Sequence, residues 1–207
     1  MQTKLRSAAR VVSVILHPLL IPLYAFLITL GITGHLQLQI PVHAQWLVAG
    51  LVLLLTVIMP GAIFYLMLRM RMISSLHMPY RQERNVPILI TALFFYLTYQ
   101  VLSRFGVAPL FSFYMLAASM LSLVALGANL WIKISLHMVA LGALAGSMAV
   151  FARLFGEEYV YPALLAVLTA GLAGTARLVL GAHRQTEIYL GFLTGFVWMY
   201  VLFGLIK

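Results

Sequence analysis

The chain contains no cysteine and no aspartate, and only four acidic residues, all glutamate, stand among its 207 positions. Without cysteine there is no disulfide framework and no thiolate metal site. Without aspartate there is no Asp-rich diphosphate motif, and the carboxylates are too few for a convincing Mg²⁺ site. Charge of either sign is scarce: Asp, Glu, Lys and Arg make up 8% of the chain, against about one quarter in an ordinary soluble domain. Apolar residues take their place, at 64% of the sequence with a mean hydropathy of +1.06. Leu47–Leu68 and Val107–Ile132 each run without a charged residue, and about 20 apolar residues cross the hydrocarbon core as a helix. Strands of a membrane β-barrel would alternate apolar and polar positions, whereas these runs are continuously apolar. The composition predicts an all-α, polytopic transmembrane helix bundle in a lipid bilayer, forming one integral membrane domain over residues 1–207.

Seven spans can be drawn: Val11–Gly34, Gln45–Leu68, Val86–Ser103, Val107–Trp131, Ser135–Phe155, Tyr159–Leu180 and Glu187–Ile206. The count falls to six if one segment re-enters. The basic start (Lys4, Arg6, Arg10) followed by an apolar stretch resembles a signal peptide. That stretch exceeds the typical 7–15-residue signal core, so it reads as a retained first span. Connections at Phe105–Gly106 and Ile132–Lys133 are short enough to make neighbouring helices antiparallel. Gly142, Gly146, Gly171 and Gly174 let backbones approach closely in lipid, which predicts that their two spans are central.

The formal net charge is +9, yet most basic residues fall at span ends, where they anchor and orient a membrane protein. Nucleic-acid binding is therefore not expected. With seven spans, the N-terminus, the Met70–Asn85 loop, Lys133 and the Gly181–Gln185 segment share one side. That side carries ten of the basic residues, against Arg104, Arg153 and Lys207 on the other. The positive-inside rule makes it cytoplasmic.

Ionisable residues are costly near lipid and are functional suspects. The densest group is Arg177, His183 and Glu187, where the last two fall on one helix face if a helix begins near His183. A carboxylate on one imidazole nitrogen would fix the tautomer and leave the other nitrogen as base or nucleophile. The same pair would also serve as an interfacial anchor. Lys133, Ser135 and His137 form a second group at the start of a span, where helix amides favour an anion. A third lies in the loop holding His77, Arg81, Glu83 and Arg84, which alone reads as an ordinary basic loop. His17, near the start of span one beside Pro18, is expected to pack, the alternative being that it borders the site. Taken together on one membrane face, two histidines, a carboxylate and several cations suit a phosphate. One histidine would attack phosphorus and the other would protonate the leaving alkoxide, with the cations stabilising the equatorial oxygens. This scheme needs no metal or other cofactor.

These residues resemble the signatures of the type 2 phosphatidic acid phosphatase superfamily. Arg177, five residues, His183, three residues, Glu187 and then Gly191 resemble its third signature. Ser135-Leu136-His137 resembles the second, and Arg81 to Pro87 the first. The resemblance covers about Arg81–Gly191, and the whole chain is similar to short members common in Bacteroidetes-type bacteria. It implies that His183 is the phosphoryl-accepting nucleophile, Glu187 its orienting partner and His137 the general acid. It implies further that Arg177, Arg84 and Ser135 hold the phosphate, with Arg81 and Lys133 as additional cations. Ala176 stands where the family has Ser, Glu187 where it has Asp and Leu136 where it has Gly, while the Lys of the first signature is missing. The expected function is hydrolysis of a membrane lipid bearing phosphate (phosphatidic acid, phosphatidylglycerol phosphate or a prenyl diphosphate). The rivals are a lipid-phosphate binder that does not hydrolyse, and a scaffold or transport protein.

Overall fold

The computed structural model describes residues 2–32, 40, 42–106 and 109–205. The expected span ends at Gly34, Val107 and Ile206, and Lys207, lie outside them. All regular structure among the described residues is helical, and seven helical segments are long and apolar enough to cross a membrane. The protein is thus an integral membrane helix bundle. Its helices are α1 Gln2–Ile15, α2 Ile21–Gly31, α3 Val42–Leu53, α4 Met59–Arg69, α5 Asn85–Arg104, α6 Pro109–Trp131, α7 Leu136–Phe155, α8 Val160–Val179 and α9 Gln185–Gly204.

Two spans are assembled from two helices each. In the first, α1 and α2 are separated by a short turn at Pro18–Leu20. In the second, a π-helical turn at Leu54–Ile58 joins α3 to α4. Pro60 follows it and brings no N–H for the Thr56 carbonyl. A wider turn accommodates such a lost bond, and the buried Thr56 hydroxyl is turned back onto the Val52 carbonyl at 2.8 Å.

The described chain divides into two compact units, one of Met1–Ile21 with Ile132–Lys207 and one of Pro22–Trp131. The first is built around α7, whose buried residues lie on all its sides, from Met138 through Phe151. Its packing on α9 is backbone against backbone. A side chain added at Gly142 or Gly146 would strike the Phe192 or Phe196 carbonyl, and one at Gly195 would strike the Val139 carbonyl. Both helices carry glycines four apart, Gly142 with Gly146 and Gly191 with Gly195, which places them in line on one face. The expectation that the spans of residues 142–146 and 171–174 are the two central ones needs correcting. The α7 window is 67% buried and the α8 window only 33%, and a Cβ at Gly171 would meet nothing. The partner of the α7 glycines is α9.

In the second unit, α5 and α6 pack as a pair, joined midway by Ser119 Oγ donating to the Ala92 carbonyl at 2.8 Å. The loop between α4 and α5 is ordered by polar contacts. Glu83 accepts from both the Ser74 amide and hydroxyl at 3.0 Å each, and Arg84 Nε donates to the Met78 carbonyl at 2.9 Å. Asn129, near the end of α6, donates to the Arg81 carbonyl at 3.0 Å and to Asn85 Oδ1 at 2.9 Å.

Candidate functional site

Arg177 and His183 are separated by a helix ending that the sequence specifies. Gly181 takes φ +64, a conformation that costs glycine no Cβ clash. The Ala182 amide bonds the Arg177 carbonyl at 3.0 Å and the Gly181 amide bonds the Leu178 carbonyl at 2.9 Å. This is the paired closure of a Schellman motif. It turns the chain sharply, so His183 follows within one turn of the end of α8. Arg184, in extended backbone, then opens α9.

His183 and Glu187 meet as their spacing predicts, with Nδ1 to Oε2 at 2.6 Å. The imidazole side chain is 2% exposed and the carboxylate 19%. An ionised carboxylate only accepts, so Nδ1 bears the proton and a neutral ring carries its lone pair on Nε2. Arg177, six residues before His183, is buried and lies within electrostatic reach of both His17 and His137.

The second group arrives at the same end of this unit through the start of α7. The Ser135 amide donates to the Glu187 carbonyl at 3.3 Å. A Cβ at Gly191 would lie 2.8 Å from the Ser135 carbonyl oxygen. Glycine four residues beyond Glu187 is thus required by helix contact rather than by a ligand. Lys133 Nζ donates to the Ala182 carbonyl at 3.0 Å, next to His183. Ser135 is the N-cap of α7 but makes no capping bond, although serine at this position normally bonds an amide of the first turn. Its hydroxyl is fully buried and has no hydrogen-bond partner. A buried hydroxyl without a partner costs about 1–3 kcal/mol, and this one sits at the N-terminus of α7.

His137 belongs to this cluster, lying within electrostatic reach of His183. Its Nε2 is 3.0 Å from the Ser13 carbonyl of α1. His17, expected to pack, stands edge-on to His137 with ring centroids 5.6 Å apart. The buried Ser13 hydroxyl is a second orphan. Arg177, His183, Glu187, Lys133, Ser135 and His137 are therefore brought together, and α1 adds Ser13 and His17.

Arg81 and Arg84 belong to the other unit. There Arg84 is buried and braces the loop at Met78, while Arg81 offers its carbonyl to Asn129. Glu83 is a loop brace. Among the described residues no three His, Cys, Asp or Glu side chains gather as a metal-ligand set. Compared with known protein families, curated proteins and solved structures, the chain matches none of them.

Proposed function

We propose that this chain is a lipid phosphatase of a bacterial inner membrane, related to the type 2 phosphatidic acid phosphatases, that acts through a phosphohistidine on His183. One observation carries the reading: a His–carboxylate pair is tied through the Glu187 carbonyl to the amide of Ser135, whose buried hydroxyl lacks a partner, and the buried Arg177 lies one helix closure before the histidine. Carboxylate and guanidinium divide the labour. Glu187 keeps the His183 proton on Nδ1 and so aims the Nε2 lone pair at phosphorus. Arg177, Ser135 and the first amides of α7 offer donors to the equatorial oxygens, where charge accumulates during transfer. Lys133 adds positive potential. His137 supplies the proton that the departing alkoxide needs.

The apolar helices suit a substrate with acyl or prenyl tails. In α1 the exposed charges Lys4, Arg6 and Arg10 all precede the exposed Val11, Val14 and Ile15, the pattern of a helix entering lipid. The basic end then faces the cytoplasm, which favours phosphatidic acid or phosphatidylglycerol phosphate. Labelling of a cysteine introduced at Arg184 from each side of the membrane tests that orientation. With the reverse orientation, a prenyl diphosphate becomes the substrate to test.

The deciding measurement is phosphate release from a panel of lipid phosphates by detergent-purified protein, with His183→Ala alongside. Release by the wild type and its loss in the variant are expected. No release from any lipid, or equal release from the variant, overturns the enzyme reading. Leu136, standing where the resemblance has glycine, favours one second reading: a lipid-phosphate binder. Saturable binding without release would identify it.

A further inference from the structure

His17 takes φ −65 and ψ 137, the extended backbone that a following proline imposes. Pro18 contributes no N–H, so the α1 ladder cannot continue through it. The His17 amide turns to the Val14 carbonyl at 3.3 Å. In a continuous helix it would bond Ser13. The Ser13 carbonyl is left among the helix-end acceptors that need a partner from outside the helix, and it accepts from His137 Nε2. A carbonyl cannot donate, so His137 holds a proton on Nε2 and exchanges its other proton at Nδ1. The His17 ring edge beside it is fixed in turn, because its Nδ1 accepts the Leu19 amide at 3.3 Å.

We propose that the break at His17–Pro18 is a positioning device for the general acid. It exposes the Ser13 carbonyl, which orients His137 and keeps Nε2 protonated, so that Nδ1 is the atom that trades a proton with the leaving group. This rests on the phosphatase reading. In the first step, the His183 Nε2–P bond forms as the P–O bond breaks. The alkoxide oxygen takes the proton from Nδ1 of the His137 imidazolium. In the second, water bonds phosphorus as the N–P bond breaks, and its proton returns to Nδ1. The Nε2–H bond to Ser13 persists throughout. Ser13 is accordingly a positioning residue that acts through its main chain, which explains why no side-chain motif reveals it.

The test is Pro18→Ala in the full chain. Alanine restores the amide that bonds Val14, freeing the His17 amide to reclaim the Ser13 carbonyl and leave His137 without its acceptor. General acid catalysis contributes about a hundredfold to ten-thousandfold. Loss of orientation alone should lower kcat about tenfold to a hundredfold, leave KM within about twofold and displace the limb of the pH profile that reports His137. Lys4→Ala, on the exposed polar half of α1, should change neither. Nitrogen NMR of histidine-labelled protein gives a second readout that needs no variant and survives misfolding of Pro18→Ala. Wild-type His137 should show the Nε2–H tautomer, and Pro18→Ala a mixture. An Nδ1–H tautomer in the wild type overturns the inference, as does a Pro18→Ala protein with unchanged kcat and pH profile. If the wild type releases no phosphate, the phosphatase reading fails and this inference with it. Active wild type with an indifferent Pro18→Ala sinks the inference alone.

Discussion

The two units solve helix packing differently. In the first, α7 and α9 meet at opposed glycines, with carbonyls where side chains would otherwise stand. In the second, α5 and α6 are joined by the Ser119 hydroxyl, and the adjoining loop is tied by Glu83, Arg84 and Asn129. The contrast extends to the carboxylates. Glu187 bonds an imidazole, a group with its own proton chemistry, whereas Glu83 bonds a serine amide and hydroxyl and only closes a loop. Both lie in polar, basic stretches that look alike as sequence. What separates the two carboxylates is the group each one bonds and not the charges around it.

Exchanging the carboxylates sharpens this most. Glu187→Gln presents an amide that can donate to Nδ1, which puts the imidazole proton on Nε2 and removes the lone pair that the proposed mechanism uses for attack. Phosphate release should fall about a hundredfold to ten-thousandfold, or about 3–5 kcal/mol on the barrier, with the purified fold intact. Glu83→Gln should leave kcat unchanged and increase proteolytic nicking of the 70–84 loop. If both variants lose activity equally, the two carboxylates are not different in kind.

The glycine contacts come next. Gly195→Val drives a branched side chain into the Val139 carbonyl and should cost about 3 kcal/mol, the upper end for overpacking, read as a lowered unfolding midpoint in detergent. Gly171→Ala meets no neighbour and should gain a few tenths to about 1 kcal/mol from helix propensity. Equal destabilisation by the two would break the claim that α9, and not α8, holds α7 by backbone contact. A smaller loss is expected in the second unit. Asn129→Ala removes both Nδ2 bonds, with a cost of about 1–2 kcal/mol and hydrogen exchange accelerated at Arg81 to Asn85.

The membrane bundle was legible because lipid demands length and apolarity, and both are written along the chain. The spacing of Arg177, His183 and Glu187 was legible because helix periodicity fixes what four residues apart can reach. Gly191 and Gly195 could have been paired with Gly142 and Gly146, since both sets are four apart. Periodicity names a face, however, and not the face it meets, so the spacing alone does not say that α9 rather than another helix meets the α7 glycines. Asn129 carried a signal too, as a lone amide at the end of an apolar span. The part played by α1 had no such signature. It depends on a main-chain carbonyl that becomes an acceptor only when Pro18 interrupts the ladder, and any residue at position 13 would supply it.

The finest distinction lies between two helix ends. Helix α4 closes as α8 does, with the Met72 amide on the Met67 carbonyl at 2.9 Å and the Arg71 amide on the Leu68 carbonyl at 3.1 Å. At the turning position α8 has Gly181 and α4 has Arg71, at φ +57. A left-handed residue with a Cβ pays about 1–2 kcal/mol, while glycine costs about 0.5–1 kcal/mol in unfolded-chain entropy. The difference favours glycine, so Arg71→Gly should stabilise the second unit by about 0.5 kcal/mol. Gly181→Arg should destabilise the first by at least as much. Because Gly181 also sets the approach from Arg177 to His183, that variant should lower phosphate release as well, whereas Arg71→Gly should leave it unaltered. A comparison of unfolding midpoints and turnover for this pair separates a turn that only ends a helix from one that also positions the nucleophile proposed above.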